Sequence, residues 1–208
     1  MTTIEENLDP RVRRTRGWIR EALIDLVQEK PFSDISVADI ARQADIARVT
    51  FYQHFAGKEE LLLSMLSDFF SGIYQSIDPT ALATFLETGE REGLENSLVI
   101  PLLEPAQAKL ILVGMEQIGS RVRWLAVNSF QQALSQSGIE LTSVQAQIVG
   151  IYHVGGILAL LEQQLMGAEL LSARAFQQTT LDLLRSTLAA VGADAITTHA
   201  KGEAHDNG

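Results

Sequence analysis

The sequence contains no cysteine, which excludes disulfides, thiolate nucleophiles and every zinc or iron–sulfur site that needs a sulfur ligand. That absence fits a reducing compartment. Aromatic residues are scarce at 6% and charged residues make up 20%, yet 46% of the 208 residues are hydrophobic, enough for one or two compact domains and too much for a disordered chain. The first residues, Met1-Thr2-Thr3-Ile4-Glu5-Glu6, lack a basic stretch followed by an apolar one, so no secretory signal is read and a cytoplasmic location is expected. The histidines His54, His153, His199 and His205 have no metal-ligand spacing, and no Gly-x-Ser-x-Gly elbow, phosphate-binding loop or dinucleotide fingerprint occurs. No catalytic residue, metal or cofactor is nominated, and an enzyme is not expected.

Charge is also absent from Leu141 to Leu161, a length that could cross a bilayer. Thr142, Ser143, Gln145, Gln147 and His153 would need partners there, so the run is read as a helix buried in protein on most sides, with no membrane involved. The overall charge of −10 is unevenly spread. Residues 61–208 carry seven Lys and Arg against fifteen acids, whereas residues 1–60 carry nine against eleven. Arg11, Arg13, Arg14, Arg16 and Arg20 crowd a segment with no acid. A basic arm on an acidic body still attracts a polyanion, because charges further than a Debye length are screened.

Apolar residues at Ile19, Ala22, Leu23, Leu26 and Val27 follow helical spacing up to Pro31. Ser36 stands three residues before Asp39, a capping-box spacing that opens a second helix with Val37, Ile40, Ala41 and Ala44 inside. After Asp45-Ile46-Ala47 the pattern changes phase and resumes over residues 48–55. Two short helices joined by a tight turn make a helix-turn-helix. On the later helix Phe51 and Phe55 face the core, Val49 and Gln53 point outward, Thr50 and Tyr52 flank them, and Arg48 and His54 sit on the shoulders. Such a ridge suits a major groove, where an amide reads adenine and a valine touches a thymine methyl. Lys58, at the start of the next helix, is positioned to hold a phosphate. The alternative reading of this ridge is a solvated surface helix.

Together Arg13-Arg14-Thr15-Arg16, Lys30-Pro31-Phe32, Ile35 to Ala41, Arg48 to Phe55 and Lys58 to Leu62 resemble the N-terminal domain of the TetR family of bacterial transcriptional regulators over about residues 11–64. The resemblance implies that Thr50, Tyr52, His54 and Lys58 lie at positions that touch double-stranded operator DNA, and that Arg48, Val49 and Gln53 set sequence preference; Arg13, Arg16 and Ser36 are expected to contact DNA as well. One departure is the turn, Asp45-Ile46-Ala47, where the family usually has Gly, an apolar residue and Ser. Asp45 can adopt a left-handed conformation, but Ala47 lacks a capping hydroxyl.

The chain is expected to be all-α, with a helix-turn-helix DNA-binding domain over residues 11–57, a larger helical ligand-binding and dimerisation domain over 58–191, and a flexible tail over 192–208. Helices are expected near 80–88, 91–100, 105–118, 120–137, 143–166 and 172–191. By resemblance the last two form a homodimer interface, with Ile148, Ile151, Gly155, Leu158, Leu181, Leu184 and Leu188 supplying apolar surface. Gly155 and Gly156 fit either close approach of a partner helix or packing inside one subunit. Met115, Trp124, Tyr152 and His153 are the candidates for an apolar or amphipathic small-molecule effector, against the alternative that each is core. A helical adaptor that has lost DNA binding is the remaining alternative; the intact basic arm and Lys58 argue against it.

Overall fold

The computed structural model describes residues 9–75, 77–94, 105–136, 139, 141–166 and 172–191, and every regular element among them is helical. The chain divides into two compact units, one drawn from Met1–Asp68 with Leu103–Val122 and the other from Phe69–Leu102 with Arg123–Gly208. The expected stretch over 192–208 lies outside the described residues.

In the first unit, α1 (Pro10–Glu29) starts where Asp9 accepts the Arg11 N–H at 2.8 Å, with Pro10 preset for the first turn. The arginine segment is therefore helical from its outset. Ile19, Ala22, Leu23, Leu26 and Val27 are buried, as their spacing predicts. A single 3-10 turn at Phe32–Asp34 follows, and Phe32 and Ile35 anchor it in the core. The capping box that starts α2 (Val37–Gln43) is formed: Ser36 Oγ accepts the Asp39 N–H at 3.1 Å, and Asp39 accepts the Ser36 N–H at 3.0 Å. Asp45 takes the turn at φ 52°, and α3 (Arg48–His54) begins at Ala47 without a side-chain cap. Next, α4 (Lys58–Gln75) contributes Leu61, Leu62 and Leu66 to this core. The long α6 (Pro105–Gln136) adds Ile111, Gly114 and Val122 from its first part. A Cβ at Gly114 would run into Leu66 Cδ1, so a larger residue there would require the buried Leu66 side chain to shift. Ile118 leaves helical geometry (φ −139°, ψ 33°), beside the expected break at Gly119.

The second unit contains the end of α4, α5 (Pro79–Thr88), the rest of α6, α7 (Ser143–Leu165) and α8 (Ala173–Ala190). Asp78 caps α5 through the Thr80 and Ala81 N–H groups, and Gly89 closes it at φ 84°. Arg185 on α8 donates to the Leu86 and Glu87 carbonyls at 3.2 and 3.1 Å, satisfying acceptors that the end of α5 leaves open. Residues 91–94 are not helical, contrary to expectation, since Gly93 at φ 82° forms a turn; residues 95–100 lie outside the described set. Packing of α6 on α7 is close at Gly150, where a Cβ would lie 3.1 Å from Val127, and Gln131 donates to the Ala146 carbonyl at 3.1 Å.

Among the described residues one helix, Ser143–Gln163, is long and apolar enough to cross a membrane by length and composition, and 39% of its most apolar window is buried. Burial on most sides, as expected from the uncharged run, is thus corrected to burial on one. Val144, Ile148, Ile151 and Tyr152 are exposed on the other.

Candidate nucleic-acid interface

The outward ridge of α3 has the arrangement expected from helical geometry. Phe51 and Phe55 are 0% and 3% exposed, and their rings meet with centroids 6.0 Å apart. Burying this pair on one side forces Arg48, Val49, Tyr52 and Gln53 outward, while Thr50 and His54 are half-buried at the flanks. Val49 is 66% exposed and Tyr52 50%. An apolar side chain held in water at the centre of a short polar helix has no packing role. Tyr52 keeps its ring edge against Phe51 at 5.6 Å, which fixes the direction of its hydroxyl. Burial lowers the pKa of His54, and the nearby Arg16 guanidinium lowers it further; the imidazole is therefore a neutral hydrogen-bonding group at neutral pH.

The basic residues divide into two groups. Arg11, Arg13 and Arg14 are exposed along the first turns of α1, free of the core. Arg16 lies over the Phe55 ring at 4.4 Å and donates to the His54 carbonyl and Ser64 Oγ at 3.4 and 3.3 Å. Arg20 pairs with Asp68 and donates to Ser64 Oγ at 3.2 Å. These contacts fasten α1 to both the end of α3 and the middle of α4. They hold the recognition helix in place.

Lys58 is likewise held by the protein. Its ammonium donates to the carbonyls of Phe32, Ser33 and Ile35 at 2.7, 3.2 and 2.7 Å and sits 4.6 Å from the Phe32 ring centroid. An ammonium has three hydrogens, and all three are engaged within the protein. Lys58 therefore clamps the turn between α1 and α2 to the start of α4. Ser36 is likewise occupied as a cap. Asp39, which its hydroxyl and backbone N–H both serve, has its carboxyl held well below the usual range, first by those Ser36 bonds and then by Lys30 at 3.0 Å. The spacing Ser36–Asp39 was legible; the Lys58 clamp joins residues 23 to 26 apart and leaves no periodic signal.

The family model for bacterial regulatory proteins of the tetR family matches residues 19–65, the segment that builds this clamped helix-turn-helix. The chain carries a TetR-family DNA-binding domain. Among curated relatives, the HTH-type transcriptional regulator YxbF of Bacillus subtilis (strain 168) is 44% identical over 63 residues, 30% of this chain and 17% of YxbF. The HTH-type transcriptional regulator EthR of Mycolicibacterium smegmatis is 43% identical over 74 residues, 32% of this chain and 34% of EthR. The chain thus spans about a third or less of the length of these relatives. The fold extends further: a TetR transcriptional regulator from Rhodococcus sp. RHA1 aligns over 83% of this chain and 96% of its own with a TM-score of 0.53 at 22% identity.

Beyond the TetR-family domain, the four effector candidates separate. Met115 is half-buried in the first unit, and the other three belong to the second. Trp124 and Tyr152 are 66% and 67% exposed; Tyr152 shares the outer face of α7 with Val144, Ile148 and Ile151. His153 is 4% exposed, and burial pushes its pKa down to about 4. Among the described residues its Nε2 has no hydrogen-bond partner, a condition that costs about 1–3 kcal/mol in a protein interior. Of the expected dimer residues, Ile148 and Ile151 are exposed and Gly155 is half-exposed, whereas Leu158, Leu181, Leu184 and Leu188 are buried within the unit. Leu183, not anticipated, is 46% exposed on α8.

Proposed function

We propose that this chain is a dimeric, ligand-responsive transcriptional regulator: a repressor released from a palindromic operator by an apolar or amphipathic small molecule. The observation that carries the reading is the α3 ridge, in which Arg48, Val49, Tyr52 and Gln53 are exposed beside Arg11, Arg13 and Arg14. Gln53 reads adenine, Val49 meets a thymine methyl, and Arg48 prefers guanine where the groove allows. Thr50, Tyr52, His54 and Arg13 contact the backbone and set register. Lys58, Arg16 and Ser36 act indirectly, as positioning residues.

The exposed apolar strip of α7, with Leu183 on α8, supports a homodimer in which a second copy covers that face. Two heads then reach half-sites one helical turn apart, about 34–36 Å. A cytoplasmic location follows from this work on DNA. The test is selection of a preferred duplex from random DNA followed by salt-titrated binding: a selected palindrome supports the reading, and equal affinity for all sequences overturns it.

A further inference from the structure

We propose that the outer face of α1 is a docking surface for a second copy of this chain, with two α1 helices packed antiparallel about Trp18. The contact lies within the first unit and is separate from the α7 face. It does not rest on the ligand-responsive reading.

The sequence of α1 sets out the pattern. Arg11, Arg14, Trp18, Glu21 and Asp25 follow one another at intervals of three and four residues and are all exposed, so they form one line on the helix surface. The charges in that line run against the helix dipole. Arginines stand at the positive N-terminal end, acids lie toward the negative C-terminal end, and the first turn has no acid and the last turn no base to offset this. Arg11 and Arg14 also repel each other, as do Glu21 and Asp25. Among the described residues no ion pair relieves any of the four, and Asp25 accepts only from the neutral Gln43 amide at 3.2 Å. Charges placed against local rules with no local compensation point to a partner.

Trp18 is 47% exposed at the centre of the line. Beside it a cleft of about 290 Å³ opens between α1 and the end of α2, with Glu21, Ala22 and Asp25 on one wall and Gln43, Ala44 and Asp45 on the other. The cleft has room for a large side chain and no lysine or arginine in its lining.

The line is complementary to itself. Arg11 stands seven residues before Trp18 and Asp25 seven after; Arg14 stands four before and Glu21 three after. A two-fold axis at Trp18 therefore sets Arg11 against Asp25 and Arg14 against Glu21 of the second copy, each twice, along about 21 Å of helix. Each indole then enters the other copy's cleft, its ring on Ala22 and Ala44 and its N–H toward a carboxylate. DNA is repelled by the three carboxylates of the cleft, and a basic segment of another protein leaves the two arginines unmatched. A second copy satisfies both halves. Arg13, about 100° round the helix from Arg14, lies off the line and stays available to DNA. One helix face of this length falls below the ~1,200 Å² of standard interfaces, so the pairing is weak and is screened by salt.

The test is sedimentation equilibrium of the full chain at low and high salt. At low salt and high protein concentration the mass is expected to be at least double the high-salt mass. Arg14→Glu alone and Glu21→Arg alone each place like charges together and are expected to weaken the pairing about tenfold or more. An equimolar mixture of these two variants is expected to regain it, since every contact between positions 14 and 21 then joins opposite charges; this recovery also shows that both variants fold. The doubling is expected in Ile151→Asp as well, and its loss there would assign the added mass to the α7 face and overturn the proposal. No doubling in the native chain, doubling that survives both single reversals, or a mixture that fails to recover would each overturn it too. The operator-binding reading stands in all of these cases.

Discussion

Replacing Lys58 by methionine keeps the apolar stem over Phe32 and removes the ammonium that holds three carbonyls. The structure sets the size of the effect. Hydrogen bonds to a charged donor contribute about 1.5–3 kcal/mol each when well formed, and the two at 2.7 Å, to Phe32 and Ile35, are partly buried. The third, to Ser33 at 3.2 Å, is exposed, so that carbonyl regains water and contributes little. Allowing for partial rehydration of the other two, Lys58→Met is expected to destabilise the DNA-binding unit by about 2–4 kcal/mol. The turn between α1 and α2 would loosen from α4, the helix-turn-helix would lose its fixed orientation, and affinity would fall for every DNA sequence alike. The salt dependence separates this from direct contact. A lysine on a phosphate releases counterions, and its loss makes the slope of log K against log salt shallower by about 0.9. A clamp leaves the slope unchanged. Urea melts and anisotropy titrations at several salt concentrations measure both quantities. An unaltered melt with a slope shallower by about one unit would refute the clamp and restore Lys58 as a phosphate ligand.

Exchanging Val49 or Gln53 for alanine is expected to relax preference at single operator positions by about 1–3 kcal/mol per base pair, whereas Arg13→Ala lowers affinity uniformly and reduces the salt slope; competition with single-base operator variants distinguishes the two. Placing a charge on the outer face of α7 with Ile151→Asp is expected to yield monomers in sedimentation without lowering helical content, and a dimer that persists would exclude this face as the interface. Stability is also expected to depend on His153. Its folded pKa of about 4 lies below the ordinary 6.5, so between those values the unfolded chain takes a proton that the folded chain refuses. Stability therefore drops as the pH falls from 6.5 to 4, by up to about 3 kcal/mol. Urea melts across that range should steepen this loss in the native chain and flatten it in His153→Leu; parallel curves would show that the imidazole is not the group responsible.

Local rules made much of the DNA-binding unit readable. The buried stripe of α1, the capping box at Ser36 and Asp39, the left-handed Asp45 and the inward Phe51 and Phe55 each depend on residues within a few positions of one another, and helix geometry alone places them. The same rules assign Val49 and Gln53 to the outer face. The outer strip of α7 was only half legible, since a helix that is apolar nearly all round does not reveal which side its own unit covers. Contact with α6 at Gly150 and with α8 decides that, burying Leu158 and exposing Tyr152.

Long-range polar contacts were decided by the tertiary structure alone. Lys58 and Arg16 look like phosphate ligands in sequence because they are basic and flank a recognition helix; charge and position carry no information about which acceptors will be nearby after folding. Folding brings the Phe32 and Ile35 carbonyls to Lys58, and Phe55 and Ser64 to Arg16. His153 illustrates the same division. Its place in an apolar helix is visible in the sequence, but the missing partner of Nε2 depends on what α6 presents across the interface. Periodicity determines which face a side chain occupies, whereas hydrogen-bond partners dozens of residues away are set only once the helices pack.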